Sequence, residues 1–131
     1  MSSSREKNVA RLTAALFRAI GQPARLRILQ AIGPGEACVC HLEAMLGLRQ
    51  AYISQHLMAL RDQGLVTTRR EGKFVYYRLQ DPDLLDLISK AAQLAGAKYP
   101  LESQVNRKAD CSCPSCATQS EPLIQLDLPA A

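Results

Sequence analysis

The chain predicts a mainly α domain with a small β-hairpin, a winged helix-turn-helix in the order α-α-α-α-β-β-α. Three observations point there. Apolar residues recur at helical spacing in successive segments up to Gln63, with glycines between them. Two β-branched and aromatic runs follow, separated by Glu71-Gly72. A last apolar helix comes after Asp81-Pro82. Composition agrees. In 131 residues, 47% are hydrophobic but only 5% aromatic, with no Trp, so the core must be built from Leu, Ile, Val and Ala. The length suits one modest domain and a tail.

Taken in order, Val9, Leu12, Leu16, Phe17 and Ile20 mark an amphipathic helix over roughly 8–20. Gly21-Gln22 breaks it, and Pro23 opens a second helix. Leu26, Ile28, Leu29 and Ile32 fill that helix, and Gly33-Pro34-Gly35 ends it. A third helix is expected over about 38–46, a short turn at Gly47-Leu48, and a fourth helix over about 49–63, closed by Gly64. Residues 65–69 and 74–79 read as strands joined by the hairpin turn at Glu71-Gly72. Asp81 caps and Pro82 starts the last helix, which ends before Tyr99-Pro100. Leu84, Leu85, Leu87, Ile88, Ala91, Ala92, Leu94 and Ala95 make it apolar on more faces than a small domain buries. With the first helix it is expected to dimerise. The domain plan is then a flexible N-terminus over 1–7, the winged domain over 8–99, and a flexible Cys-containing tail over 100–131.

Charge and cysteine usage narrow the function. The net charge is +4, but residues 1–80 carry 12 Lys/Arg against 5 Asp/Glu, whereas residues 81–131 carry 4 against 7. The positive excess lies where the helix-turn-helix lies, which suits a polyanionic partner. No stretch approaches the ~18 apolar residues of a membrane span. Arg11 and Arg18 interrupt any apolar signal core, so a cytoplasmic protein without membrane attachment is expected. Five Cys without an export signal favour metal or redox chemistry over structural disulfides. There is no nucleophile–base pair, Gly-rich phosphate loop or paired carboxylate, so an enzyme is not expected.

In the fourth helix Ile53, Leu57 and Leu60 should face the core. The other side then presents Gln50, Tyr52 in part, Ser54, Gln55, His56 and Arg61 as candidate DNA contacts, with a packed or capping histidine as the alternative for His56. Gln pairs bidentately with adenine and Arg with guanine or phosphate. The first residues of such a helix reach base edges, which favours Gln50, Ser54 and Gln55. Arg69, Arg70, Lys73 and Arg78 on the hairpin should grip phosphate or enter the minor groove.

Gln22-Pro23-Ala24-Arg25-Leu26-Arg27-Ile28-Leu29, Ser54-Gln55-His56-Leu57, Leu60-Arg61, Gly64-Leu65-Val66, Glu71-Gly72-Lys73 and Tyr77-Arg78-Leu79 resemble the ArsR/SmtB family of bacterial metal-sensing repressors. The resemblance spans about residues 10–97. It implies a homodimer on a double-stranded, inverted-repeat operator, released when an effector binds.

Cys38-Val39-Cys40 resembles the thiolate core that arsenic, cadmium and lead sensors of that family carry on the same helix. The arsenic-type motif continues with Asp and a third Cys; here His41 and Glu43 occupy those places. The resemblance implies As(III), Cd(II) or Pb(II) as effector, Zn(II) less so, with no intrinsic cofactor. Such ions favour three or more soft ligands, so further ligands are expected from Cys111, Cys113 and Cys116. About fourteen residues between the last helix and Cys111 span up to roughly 45 Å, enough to reach either subunit. His41 is a possible extra ligand. The last helix has Asp83 and Asp86 but no His, so no zinc-type site is expected on it.

Residues at i and i+2 of a regular helix point to different sides. Chelation by Cys38 and Cys40 therefore requires the first turn of the third helix to unwind or re-aim. The alternative effector is a thiol oxidant or persulfide acting on the same cysteines.

Overall fold

The computed structural model of the chain describes residues 2–98. Its elements are α1 (Ser2–Ile20), α2 (Pro23–Ile32), β1 (Glu36–Cys38), α3 (Val39–Leu46), α4 (Gln50–Asp62), β2 (Val66–Glu71), β3 (Phe74–Leu79) and α5 (Asp83–Leu94). The mainly α winged helix-turn-helix expected from the sequence is present, with one strand more. The tail cysteines Cys111, Cys113 and Cys116 lie outside the described residues.

α1 begins at Ser2 rather than near residue 8. It stops at Gly21, where a Cβ would sit 2.7 Å from the Phe17 carbonyl oxygen. Pro23 then starts α2, its missing N–H costing nothing in a first turn. α2 is the central helix: Ile28 and Leu29 are fully buried, and Gln30, Ala31 and Ile32 nearly so. Gly33 closes it at φ 63°, donating its N–H to the Leu29 carbonyl at 3.1 Å. The core gathers α2 with Leu42, Met45 and Leu46 of α3, Ile53, Leu57 and Leu60 of α4, Val66 and Leu79 of the hairpin, and Leu84 and Ile88 of α5.

The additional strand, β1, pairs antiparallel with β3, giving a sheet in the order β1-β3-β2. Glu36 lies opposite Arg78, and Cys38 opposite Tyr76. β2 pairs with β3 so that Thr67 faces Arg78 and Arg69 faces Tyr76. Successive strand residues alternate between faces. Val66, Tyr77 and Leu79 therefore face the helices, and Glu36, Cys38, Thr67, Arg69, Tyr76 and Arg78 share the other face. The Asp81 carboxylate accepts the Asp83 N–H at 2.9 Å, just ahead of α5. No helix among the described residues is long and apolar enough to cross a membrane.

Candidate functional site

Gly47 ends α3 in the left-handed region, at φ 67° and ψ 24°, and gives its N–H to the Glu43 carbonyl at 2.9 Å. Arg49, extended, then opens α4. Ile53, Leu57 and Leu60 are 0% exposed. Each such burial is worth about 1.5–3 kcal/mol. Rolling α4 would expose them, so its outward face is fixed. That face shows Gln50, Tyr52, Gln55 and Arg61 to solvent, with Ser54 half-buried.

His56 does not belong to it. The ring is buried, its Nδ1 accepts the Arg25 Nε–H at 3.1 Å, and it packs edge-on against Tyr52 at 4.6 Å. Burial first, and the Arg25 charge second, push its pKa below 6.5. Of the two readings of His56, base contact or packed histidine, its burial and the Arg25 contact agree with the packed one, and the lowered pKa favours a neutral ring. The signal was available, since His56 completes the i, i+3, i+4, i+7 stripe with Ile53, Leu57 and Leu60.

Arg25 and Arg27 have roles that sequence reasoning missed. Arg25 also donates to the Ala19 carbonyl at 2.8 Å, joining α1, α2 and α4. Arg27 donates to the Leu46 carbonyl at 3.2 Å, satisfying the end of α3 beside the turn. Together they fix the pose of the helix-turn-helix. Nothing local betrays this, because the partners of these donors lie as far as 31 residues away.

On the wing, Arg70, Lys73 and Arg78 are exposed. Lys73 lies over the Phe74 ring, 5.5 Å from its centre. Arg69 is exposed but engaged: it holds the Glu36 carboxylate through Nε and Nη2, and Glu71 through Nη1 at 3.1 Å. Its guanidinium also lies 4.6 Å from the centre of the Tyr76 ring. The Arg69 hydrogen bond holds the Glu36 carboxyl below the usual carboxylate range, with Arg78 adding to the field. A cleft of about 470 Å³ opens here, lined by Glu36, Thr67, Arg69, Tyr76 and Arg78 among others.

Cys38 and Cys40 meet. Their sulfurs are 2.8 Å apart, beyond the ~2.05 Å of a disulfide bond. Cys38 is not inside α3. It is the last residue of β1 and the N-cap of the helix, extended at φ −84° and ψ 163°, with its sulfur accepting the His41 N–H at 3.4 Å. The helical i, i+2 argument does not apply to it, so no unwinding is needed to bring the sulfurs together. Cys38 is 2% exposed, packed with Tyr76 and Phe74, while Cys40 is exposed. One sulfur is thus sealed and the other reachable. His41 is half-buried, and burial lowers its pKa, which favours a neutral ring. Among the described residues no three or more His, Cys, Asp or Glu gather in one place. A tetrahedral ion at ~2.3 Å from each sulfur would set them roughly 3.8 Å apart, about 1 Å more than the 2.8 Å here.

A fixed outward helix face, a tight turn before it and a cation-bearing hairpin beside it define a DNA-binding winged helix-turn-helix regulator. Residues 22–68 match the family described as "Bacterial regulatory protein, arsR family". The chain is 41% identical over 88 residues to the Biofilm growth-associated repressor of Agrobacterium fabrum, covering 67% of this chain and 69% of that one. It is 40% identical over 87 residues to the Arsenic resistance transcriptional regulator ArsR1 of Pseudomonas putida, covering 64% and 68%. The crystal structure of NolR from Sinorhizobium fredii superposes with a TM-score of 0.62 at 32% identity, over 71% of this chain and 93% of that one. The chain belongs to the arsR family of bacterial regulatory proteins, which are transcriptional regulators and not enzymes.

Proposed function

We propose that this chain is a cytoplasmic homodimeric repressor that leaves its inverted-repeat operator when a thiophilic ion of the As(III), Cd(II) or Pb(II) class binds Cys38 and Cys40. The observation that carries this is the 2.8 Å convergence of the two sulfurs at the start of the helix that packs on α4. Cys111, Cys113 and Cys116 supply the remaining soft ligands in this reading, since two sulfurs do not complete such a site. An arsenic resistance regulator among the relatives supports the effector class. The exposed Cys40 gives the ion its entry, and Cys38, at the joint between β1 and α3, is the ligand whose displacement moves the helix-turn-helix. A coupling of about 2–3 kcal/mol releases DNA by more than tenfold.

The test is a titration of reduced protein with arsenite, cadmium, lead and zinc. Thiolate absorption and release of a duplex selected from a random library are followed together. One of the soft ions should release DNA at about one equivalent per site. The Cys38→Ser, Cys40→Ser variant should bind DNA as the parent does and ignore the ion. An unchanged response in that variant would overturn the reading.

The same short sulfur–sulfur distance favours a second reading, oxidation by a peroxide. Two thiols give one disulfide as the peroxide is reduced to water. Non-reducing mass spectrometry after mild peroxide, showing a 38–40 linkage that releases DNA, would select it.

A further inference from the structure

We propose that Glu36 is an internal competitor for DNA phosphate, holding Arg69 away from the backbone of bound DNA; this rests on the DNA-binding reading above. β1 brings Glu36 across the sheet to Arg69, 33 residues further along the chain. The carboxylate takes two edges of the guanidinium: Nε–H at 3.2 Å and the Nη2 group. That fork geometry is the one an arginine offers to a phosphate. Glu71 adds a single contact, at 3.1 Å.

The pair is accessible, with the Arg69 side chain 48% exposed and that of Glu36 30% exposed. Solvent reaches both groups, so a phosphate can compete with the carboxylate for the same edge of Arg69. Arg69 and Arg78 line the same open cleft with Thr67, on the sheet face away from the core. A phosphate entering there meets two cations and a hydroxyl, and must displace one carboxylate. Glu36 therefore lowers affinity for DNA and removes one phosphate contact from each protomer.

The experiment uses the full chain and a fluorescein-labelled mixed-sequence 30-base-pair duplex, because phosphate contacts act on any sequence. Binding is measured from 50 to 300 mM KCl for the parent, Glu36→Gln, Arg69→Gln and the double variant. Glu36→Gln should bind about two- to fivefold more tightly, the equivalent of one exposed ion pair. Its log–log salt slope should steepen by about 0.9 per protomer. In the Arg69→Gln background the same substitution should leave the slope unchanged and tighten binding less than in the parent, since only the general charge effect remains. A folding defect cannot produce tighter binding, so the gain reports on the latch. An unchanged slope in Glu36→Gln, weaker binding, or equal gains in both backgrounds would overturn the inference while leaving the DNA-binding reading intact. Failure of all four proteins to bind any duplex would overturn both.

Discussion

The Arg25–His56 contact makes one side chain of the reading helix answerable to pH. The native ring must stay neutral, because Nδ1 accepts from Arg25 and a proton there would face that cation. Burial and Arg25 hold its pKa below 6.5. In the unfolded chain His takes up its proton near 6.5. Below that pH the unfolded state binds more protons, so the stability contributed by the neutral ring is complete above about 6.5 and is lost as pH falls toward the depressed folded value. The melting temperature should therefore drop between pH 7 and pH 5. His56→Gln keeps an acceptor for Arg25 but does not titrate, so its drop should be shallower over the same range. Parallel curves for parent and variant would contradict this, and differential scanning calorimetry at fixed ionic strength decides it. The cysteines show the same lesson from another side. Cys38 and Cys40 are neighbours in sequence, yet one is sealed and the other open because a strand ends and a helix begins between them.

At the scale of elements, the turn between α3 and α4 depends on Gly47. Its φ of 67° lies in the left-handed region, and no atom lies within 4 Å of where a Cβ would be. Gly47→Ala therefore meets a backbone cost without a clash. That cost is about 1–2 kcal/mol, partly offset by the lower entropy of the unfolded variant, about 0.4–1 kcal/mol. A net loss of about 1 kcal/mol is expected in urea unfolding, with Gly47→Asn losing less. No loss in either variant would show that the turn relaxes out of this conformation. Gly47 was legible in the sequence, as were α1, α2, α4 and the hairpin, because glycines and apolar periodicity act locally. β1 was not. Three residues give no usable period, and the strand exists only because β3, some forty residues later, pairs with it. The cap on α3 is hidden for a related reason: sulfur is outside the usual capping set, so the pattern alone starts α3 at Cys38 and points the thiols apart. Of the candidate site, the outward positions of α4 followed from the buried stripe once α4 was recognised. The engagement of Arg69 by Glu36 required the unseen strand.

For the molecule as a whole, the unresolved demand is the apolar surface of α1 and α5. Val9 and Leu12 are each 63% exposed, Phe17 51% and Leu94 79%. Val9, Leu12 and Leu16 continue along α1 the stripe that Ile20 buries in the core, so the stripe leaves the domain still apolar. A second copy of the chain is the occupant that the proposed function requires, because two reading helices must enter grooves one helical turn, ~34 Å, apart. Leu12→Asp tests this. Leu12 is exposed within one chain, so the change should alter the stability of an isolated protomer by only about 0.5 kcal/mol or less. In a dimer it would bury an unpaired carboxylate in each of two copies, at a cost of several kcal/mol. Sedimentation velocity at micromolar concentration should show the parent as a dimer and Leu12→Asp as a folded monomer. Affinity for a two-half-site duplex should fall by at least about tenfold with it, since one protomer then grips one half-site and the effective concentration of the second reading helix is gone. A Leu12→Asp protein that remains dimeric would place the interface away from α1. The face of α5 bearing Leu94 would then have to carry it alone.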